Sequence, residues 1–263
     1  MSKPIEQFFA PGDSDPVEII RPEGKSVFLL TADHAGPAIP RRLGTLGLTA
    51  AQLETHIAWD IGIAGVARYL SGGLGAPLVL QRYSRLVIDC NRDPAVQSSV
   101  ATLSENTPIP GNLSVSQSDK ELRRKSIFDP YHAAIREILE RRAATAMPTI
   151  MVALHSMTPV FKNQSRPMQA AVLYDRDSRF AKCVFAALRE VPGITVAENQ
   201  PYFVSPATDY TIPHHAEGRL PYVEIEIRQD LISSESGQRD WSQRLTQALL
   251  KAHARFSNDP RNG

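Results

Sequence analysis

The chain has 263 residues, 42% hydrophobic and 22% charged, the mix of a globular enzyme rather than a disordered or fibrous protein. A formal net charge of +1 gives no reason to expect a nucleic-acid partner, and two cysteines, Cys90 and Cys183, exclude a disulfide scaffold as the main source of stability. No apolar run approaches the ~18–20 residues that span a bilayer.

Residues 1–24, with several prolines and glycines, read as a loose lead-in to one folded domain over 25–257. Met1 to Pro16 lacks the basic head and apolar core of a secretory leader, so the expected compartment is the cytoplasm, which suits two unpaired thiols. Val27 to Thr31 is a continuous apolar run of strand length, followed by the polar turn Asp33-His34-Ala35-Gly36-Pro37. Thr49 and Gln52 fit a capping box. Asp60 precedes a helical stripe of Ile61, Ala64, Val66, Ala67 and Leu70, which Gly72-Gly73 ends. Pro77 to Gln81 is the next strand, with Leu86-Val87-Ile88 continuing extended toward Asp89.

Val96 to Asn112 reads as a long loop. Ser118 to Glu121 forms a second capping box, and the basic run Arg123-Arg124-Lys125 a solvated helix face. Asp129-Pro130 starts a helix whose stripe is Tyr131, Ala134, Ile135, Ile138 and Leu139. Strands follow at Thr149–Leu154, ending in His155-Ser156, and at Gln169–Tyr174. A helix at Asp177–Glu190, a short strand at Ile194–Ala197, a strand at Tyr222–Arg228 and a closing helix at Gly237–Phe256 complete the chain. This alternation predicts a single α/β domain, with a mixed, largely parallel central sheet flanked by helices. In such sheets ligands gather beyond the carboxyl ends of the strands.

The chemistry-bearing residues fall there. Two strands end in Asp33-His34 and His155-Ser156, and Asp60 opens a helix nearby in sequence. Imidazole with carboxylate is a ligand set for a catalytic zinc that keeps one position for water. Glu224 and Glu226 are two apart and therefore share one strand face. That face is either solvated or lines a cleft, where one glutamate could serve as general base. Arg85 and Arg92, in Ser84–Pro94, could clamp a carboxylate or pair with Asp89 or Asp93. Ser156 has no nucleophile elbow around it, Cys90 reads as a packed thiol, and His132 as a helix-surface histidine.

The chain resembles the N-formylglutamate amidohydrolase family over roughly Val27 to Ile232. The resemblance is carried by Thr31–Gly36 with Ile39-Pro40, Trp59-Asp60, Ser84–Arg92, Leu154–Met157, Asn199–Tyr202 and Glu224–Arg228. Their order is also similar to that of zinc carboxypeptidases and aspartoacylases. The resemblance implies a zinc-carboxypeptidase-like fold and one Zn2+ held by His34, Asp60 and His155. Asp33 is the reserve for the third ligand, because Pro37 stands where zinc carboxypeptidases have a glutamate. It implies Glu226 as general base with Glu224 in reserve, and Arg85 at the scissile carbonyl. Asn91 and Arg92 would sit on the substrate carboxylate, and His214, with His215 as rival, would reach in from the preceding loop. The expected activity is zinc-dependent hydrolysis of an N-acyl amino acid such as N-formylglutamate. Another N-acyl amino acid or a peptide is the alternative substrate, and a non-catalytic binder of acidic small molecules the alternative class. The partner is a small carboxylate-bearing molecule, with no nucleic acid and no membrane; oligomeric state is left open.

Overall fold

Two periodicities build the computed structural model, which describes residues 8–260: continuous apolar runs become strands, and apolar stripes become the helices that cover them. In chain order the elements are β1 (Val17–Ile20), β2 (Phe28–Ala32), α1 (Ala50–Leu53), α2 (Ile63–Leu74) and β3 (Leu78–Gln81). A small hairpin follows, β4 (Leu103–Ser104) with β5 (Thr107–Pro108), then α3 (Gln117–Arg123), α4 (Asp129–Ala144) and β6 (Ile150–Met157). The second hairpin is β7 (Val160–Phe161) with β8 (Gln164–Ser165). The chain closes with β9 (Ala170–Leu173), α5 (Arg179–Arg189), β10 (Val196–Glu198), α6 (Thr211–His215), β11 (Tyr222–Arg228) and α7 (Glu235–Ser257).

Seven strands form the central sheet in the order β1-β3-β2-β6-β11-β9-β10. The four in the middle, β3, β2, β6 and β11, run parallel, while β1 and the β9–β10 pair run against them. Strand alternation sends Phe28, Leu30, Ile150, Val152, Leu154, Val223, Ile225 and Ile227 to one face, packed under α2, α5 and α7. The intervening Leu29, Met151, Ala153 and Tyr222 meet α4 and the Tyr83–Cys90 segment on the other. The domain is therefore α/β, a mostly parallel sheet between helices.

Several elements differ from the sequence reading, each for a local reason. Val17–Ile20, inside the expected lead-in, pairs with β3 as an antiparallel edge strand; residues 1–7 of that lead-in lie outside the described residues. Leu86–Ile88 is not extended: Val87 N–H bonds Ser84 O at 2.9 Å, and all three side chains turn into the second core. The helix expected to start at Asp129-Pro130 instead continues from α3 through a π-turn over Arg124–Phe128. Its wider ring, Asp129 N–H to Arg124 O, makes room for a proline that can neither donate nor tolerate a tight preceding turn. Ser116 rather than Ser118 caps α3, accepting from Asp119 N–H at 3.1 Å. Arg123, expected on a solvated face, is 2% exposed and donates to Val87 O and Asn112 Oδ1, tying the loop before α3 to the core.

Candidate active site

The second face of the sheet changes character at the carboxyl ends of its strands. Beyond Leu29 on β2 come Thr31, Asp33 and His34; beyond Met151 and Ala153 on β6 comes His155, which lies within the strand rather than after it. In the parallel pairing of β6 and β11, Glu226 stands directly beside His155 and Glu224 beside Ala153. All these side chains are buried.

Glycines let the loops close onto this point. A Cβ on Gly36 would lie 1.9 Å from Arg82 O, so only glycine allows the turn after His34 to cross the segment after β3. Asp60 is drawn in by its own N–H, which bonds His34 O at 2.9 Å. Gly62, with φ +82° and no room for a side chain against Ile232, then turns the chain into α2.

His34, Asp60 and His155 each offer a ligand atom within 4.8 Å of the others, and the two rings are 5.1 Å apart, edge to face. Both imidazoles follow one plan. His34 presents Nε2 to Asp89 Oδ1 at 2.7 Å and Nδ1 to Asp60 Oδ2 at 3.7 Å. His155 presents Nε2 to Asp33 Oδ2 at 3.4 Å and Nδ1 to Asp60 Oδ2 at 3.0 Å. An outer carboxylate on one nitrogen orients a ring so that its other nitrogen can bind a cation. Asp33 is thereby placed as the group behind His155; its Oδ1 accepts from Tyr131 Oη at 2.5 Å and Thr211 Oγ1 at 2.9 Å.

The charges press in the same direction. Burial works against ionising Asp60 and Asp89, yet both are held below the usual carboxylate range, Asp60 chiefly by the two imidazoles and Asp89 chiefly by Arg85 and His34. Asp33, buried as well, is held down to about 2 by His155 and His34. Burial opposes a proton on His155, but Glu224, Asp33 and Asp60 keep its pKa well above that of a free imidazole. Burial likewise pushes Glu224 up to about 8 and Glu226 up to about 7. So many carboxylates around two imidazoles and Arg85 call for added positive charge. On the side of Asp60, His34 Nδ1 is buried without a hydrogen-bond partner, as is Glu226 Oε2 on the neighbouring strand. The donor set and these orphaned atoms fit a divalent cation.

The site opens into a cavity of about 740 Å³, in the range that holds small molecules. His34, Asp60, Arg85, Asn91, Arg92, His155, Glu224 and Glu226 all line it. Arg85 is forked onto Asp89 Oδ2, with Nη2 at 2.7 Å, and its Nη1 lies 3.8 Å from Asp60 Oδ1. Of the expected substrate contacts, Asn91 lines the cavity and His214 does not. The Asn91 amide is already engaged: Oδ1 accepts from Tyr210 N–H and Thr211 N–H, both at 2.9 Å, and Nδ2 donates to Asp209 at 3.1 Å. It bolts the 209–211 loop to the site while lining the cavity. His214 is exposed and stacked on Tyr210, outside the cavity lining, because α6 turns it away from the sheet. Its rival His215 is buried against His132, 3.0 Å between ring nitrogens, also outside the cavity lining. His132, expected on a helix surface, is thus a core residue that also reaches Cys90 O at 2.9 Å. Ser156 spends its N–H on Asp60 and its hydroxyl on Ile61 O.

Sequence reading gave no individual role to three lining groups: Asp89 as the partner of His34, Arg166 within the Lys162–Pro167 loop expected to shape the pocket, and Tyr202 at the end of the Asn199–Tyr202 segment. Arg166 follows a hairpin whose turn, Lys162-Asn163, has positive φ at both positions, as a two-residue hairpin loop requires. That turn was the available signal.

Fold and site together define an α/β protein with a buried His-Asp-His group at the carboxyl ends of its parallel strands. A sequence model of the N-formylglutamate amidohydrolase family matches residues 26–233, and the chain belongs to that family. Among solved structures, the gene product Atu2144 from Agrobacterium tumefaciens is 36% identical, with a TM-score of 0.92 over 96% of this chain and 100% of that one. N-formylglutamate amidohydrolase from Ralstonia eutropha JMP134 is 21% identical, with a TM-score of 0.64 over 92% of this chain and 98% of that one, a likeness of fold. No curated protein matches the chain. None of the helices among the described residues is long and apolar enough to cross a membrane.

Proposed function

We propose that this protein is a metal-dependent amidohydrolase that cleaves the amide of an N-acylated amino acid such as N-formylglutamate, using one zinc ion held by His34, Asp60 and His155. The observation that carries this reading is the convergence of two imidazole Nδ1 atoms on Asp60, beside the unpartnered Oε2 of Glu226, at an open cavity.

When bound, the cation supplies Lewis acidity toward the acyl carbonyl and lowers the pKa of water. Glu226 accepts the proton of the attacking water and returns it to the amine nitrogen as the C–N bond breaks; the water oxygen leaves in the acyl product, formate for a formyl substrate. Arg85, already oriented by Asp89, faces the charge that grows on the acyl oxygen. Asp33 and Asp89 hold the imidazole rings in place. Arg92, at the cavity wall beside Asp209, takes a substrate carboxylate. The partner is a small acidic molecule, neither nucleic acid nor membrane, and the compartment is the cytoplasm, where Cys90 and Cys183 remain thiols.

The test is hydrolysis of N-formyl-L-glutamate, compared with N-acetyl and peptide substrates, by protein purified without added metal, together with its metal content. Glu226→Gln should lose turnover while the metal content stays that of the wild type. Undiminished turnover would move the base to Glu224, and a metal-free wild type that is fully active would end the proposal.

A further inference from the structure

Arg166 differs from the other two arginines of the cavity, Arg85 and Arg92. It is 6% exposed, and its guanidinium carbon lies 4.9 Å from the Phe161 ring centroid and 4.9 Å from that of Tyr202. Nη1 donates to Thr158 O at 3.4 Å and Nη2 to the Tyr202 hydroxyl. Arg85 is forked onto Asp89, and Arg92 lies 3.6 Å from Asp209. Among the described residues, Arg166 has no such carboxylate within ion-pair distance. Glu226 feels its charge without pairing to it.

A guanidinium carries five N–H donors in a planar fork, and burying one without a counter-ion is costly. The two rings pack against this fork, and the residue lines the cavity, an arrangement suited to bidentate capture of a flat anion. We infer that Arg166, clamped between Phe161 and Tyr202, receives a carboxylate of the substrate and so sets which acyl amino acids are accepted. This rests on the acyl-amino-acid reading of the cavity: the substrate brings the counter-ion that the protein lacks.

Three substrates separate the two carboxylates of N-formyl-L-glutamate: that compound, N-formyl-L-glutamine, which keeps only the α-carboxylate, and 4-formamidobutanoate, which keeps only the side-chain one. Arg166→Gln should lower kcat/KM on N-formyl-L-glutamate by about 10²–10³-fold, mostly through KM. The loss should shrink to below about threefold on whichever analogue lacks the recognised group. Arg166→Lys should recover part of the loss, and Tyr202→Phe, which keeps the ring and drops the hydroxyl, should lose about three- to tenfold. Equal losses on all three substrates would overturn the inference. Calorimetric titration with glutarate separates this from the activity itself. If the wild type hydrolyses none of the formyl compounds, the proposed function fails, and glutarate decides Arg166 alone. Binding weakened tenfold or more in Arg166→Gln upholds the role (about tenfold per 1.4 kcal/mol), and absent or unaltered binding removes it.

Discussion

The two faces of the central sheet are made by the same strands, one residue out of step, and they have opposite characters. Under α2, α5 and α7 the layer is apolar from end to end: Leu154, Ile225 and Ile227 continue it to the strand tips. On the α4 side the apolar layer stops at Ala153 and Tyr222, and His155, Glu224 and Glu226 take over, all buried. Apolar burial stabilises by about 25 cal/mol per Å2, whereas buried carboxylates oppose folding unless paired. One face therefore supports the fold, and the other holds a concentration of charge that the fold would not otherwise favour. Stability and chemistry are separated by a single step along β11.

That separation can be broken or sharpened by substitution. Neighbours on β11 give the largest contrast. Glu226→Gln should lower turnover by about 10²–10⁴-fold with no loss of melting temperature. Ile225→Ala should cost about 2–5 kcal/mol in denaturant unfolding, while turnover per folded molecule stays within about threefold. If Glu226→Gln unfolds the protein, or Ile225→Ala abolishes turnover without unfolding it, the two faces are not independent.

The charged face should also depend on a cation for stability. Dialysis against a chelator should lower the melting temperature, and zinc at ~100-fold over its Kd should restore about 2.7 kcal/mol by preferential binding to the folded state. A melting curve indifferent to zinc would place no ion at His34, Asp60 and His155.

Acid probes the charged side through His132. Burial lowers its pKa from 6.5 to about 4, so the unfolded chain takes up a proton first as pH falls. Its contribution is intact above pH 6.5 and is lost between there and about pH 4, a decline of up to about 3 kcal/mol. His215, in contact with His132 and lowered by burial to about 3, adds to the decline, so His132→Phe should lessen the slope over that window without abolishing it; an unchanged slope would assign the decline elsewhere.

The smallest effect belongs to the apolar side's rim. Ser234 caps α7 by accepting Gly237 N–H at 3.2 Å, and Ser234→Ala should cost about 1 kcal/mol with activity untouched, by unfolding and rate measurements side by side.

The sequence carried most of the scaffold and the centre of the site, because strand runs and strand-end residues are local signals. Val27–Thr31 and Thr149–Leu154 announce themselves by apolar continuity and Tyr222–Arg228 by alternation; the polar residues that follow the first two supply His34 and His155, which Asp60, ahead of α2, joins. What stayed illegible depends on orientation or on distant partners. His214 and His215 are adjacent, yet a short helix turns one to solvent and one to the core. Asn91 looked available for substrate because its partners, Tyr210 and Thr211, lie more than a hundred residues on. Arg166 was hidden because its surroundings come from a hairpin and from Tyr202, and loops carry weak periodic signal.

The alignment of Glu226 with His155 also constrains how this chain can vary over generations. A single-residue insertion or deletion in β11 ahead of Glu224 would turn both glutamates into the aliphatic layer and carry Ile225 toward His34 and His155. Length changes there are tolerable only in pairs, if at all. The Leu103–Pro108 and Val160–Ser165 hairpins obey no such parity, since neither belongs to the sheet. Relatives that acquire new substrates are expected to differ at those two tips and to leave β11 at its present length.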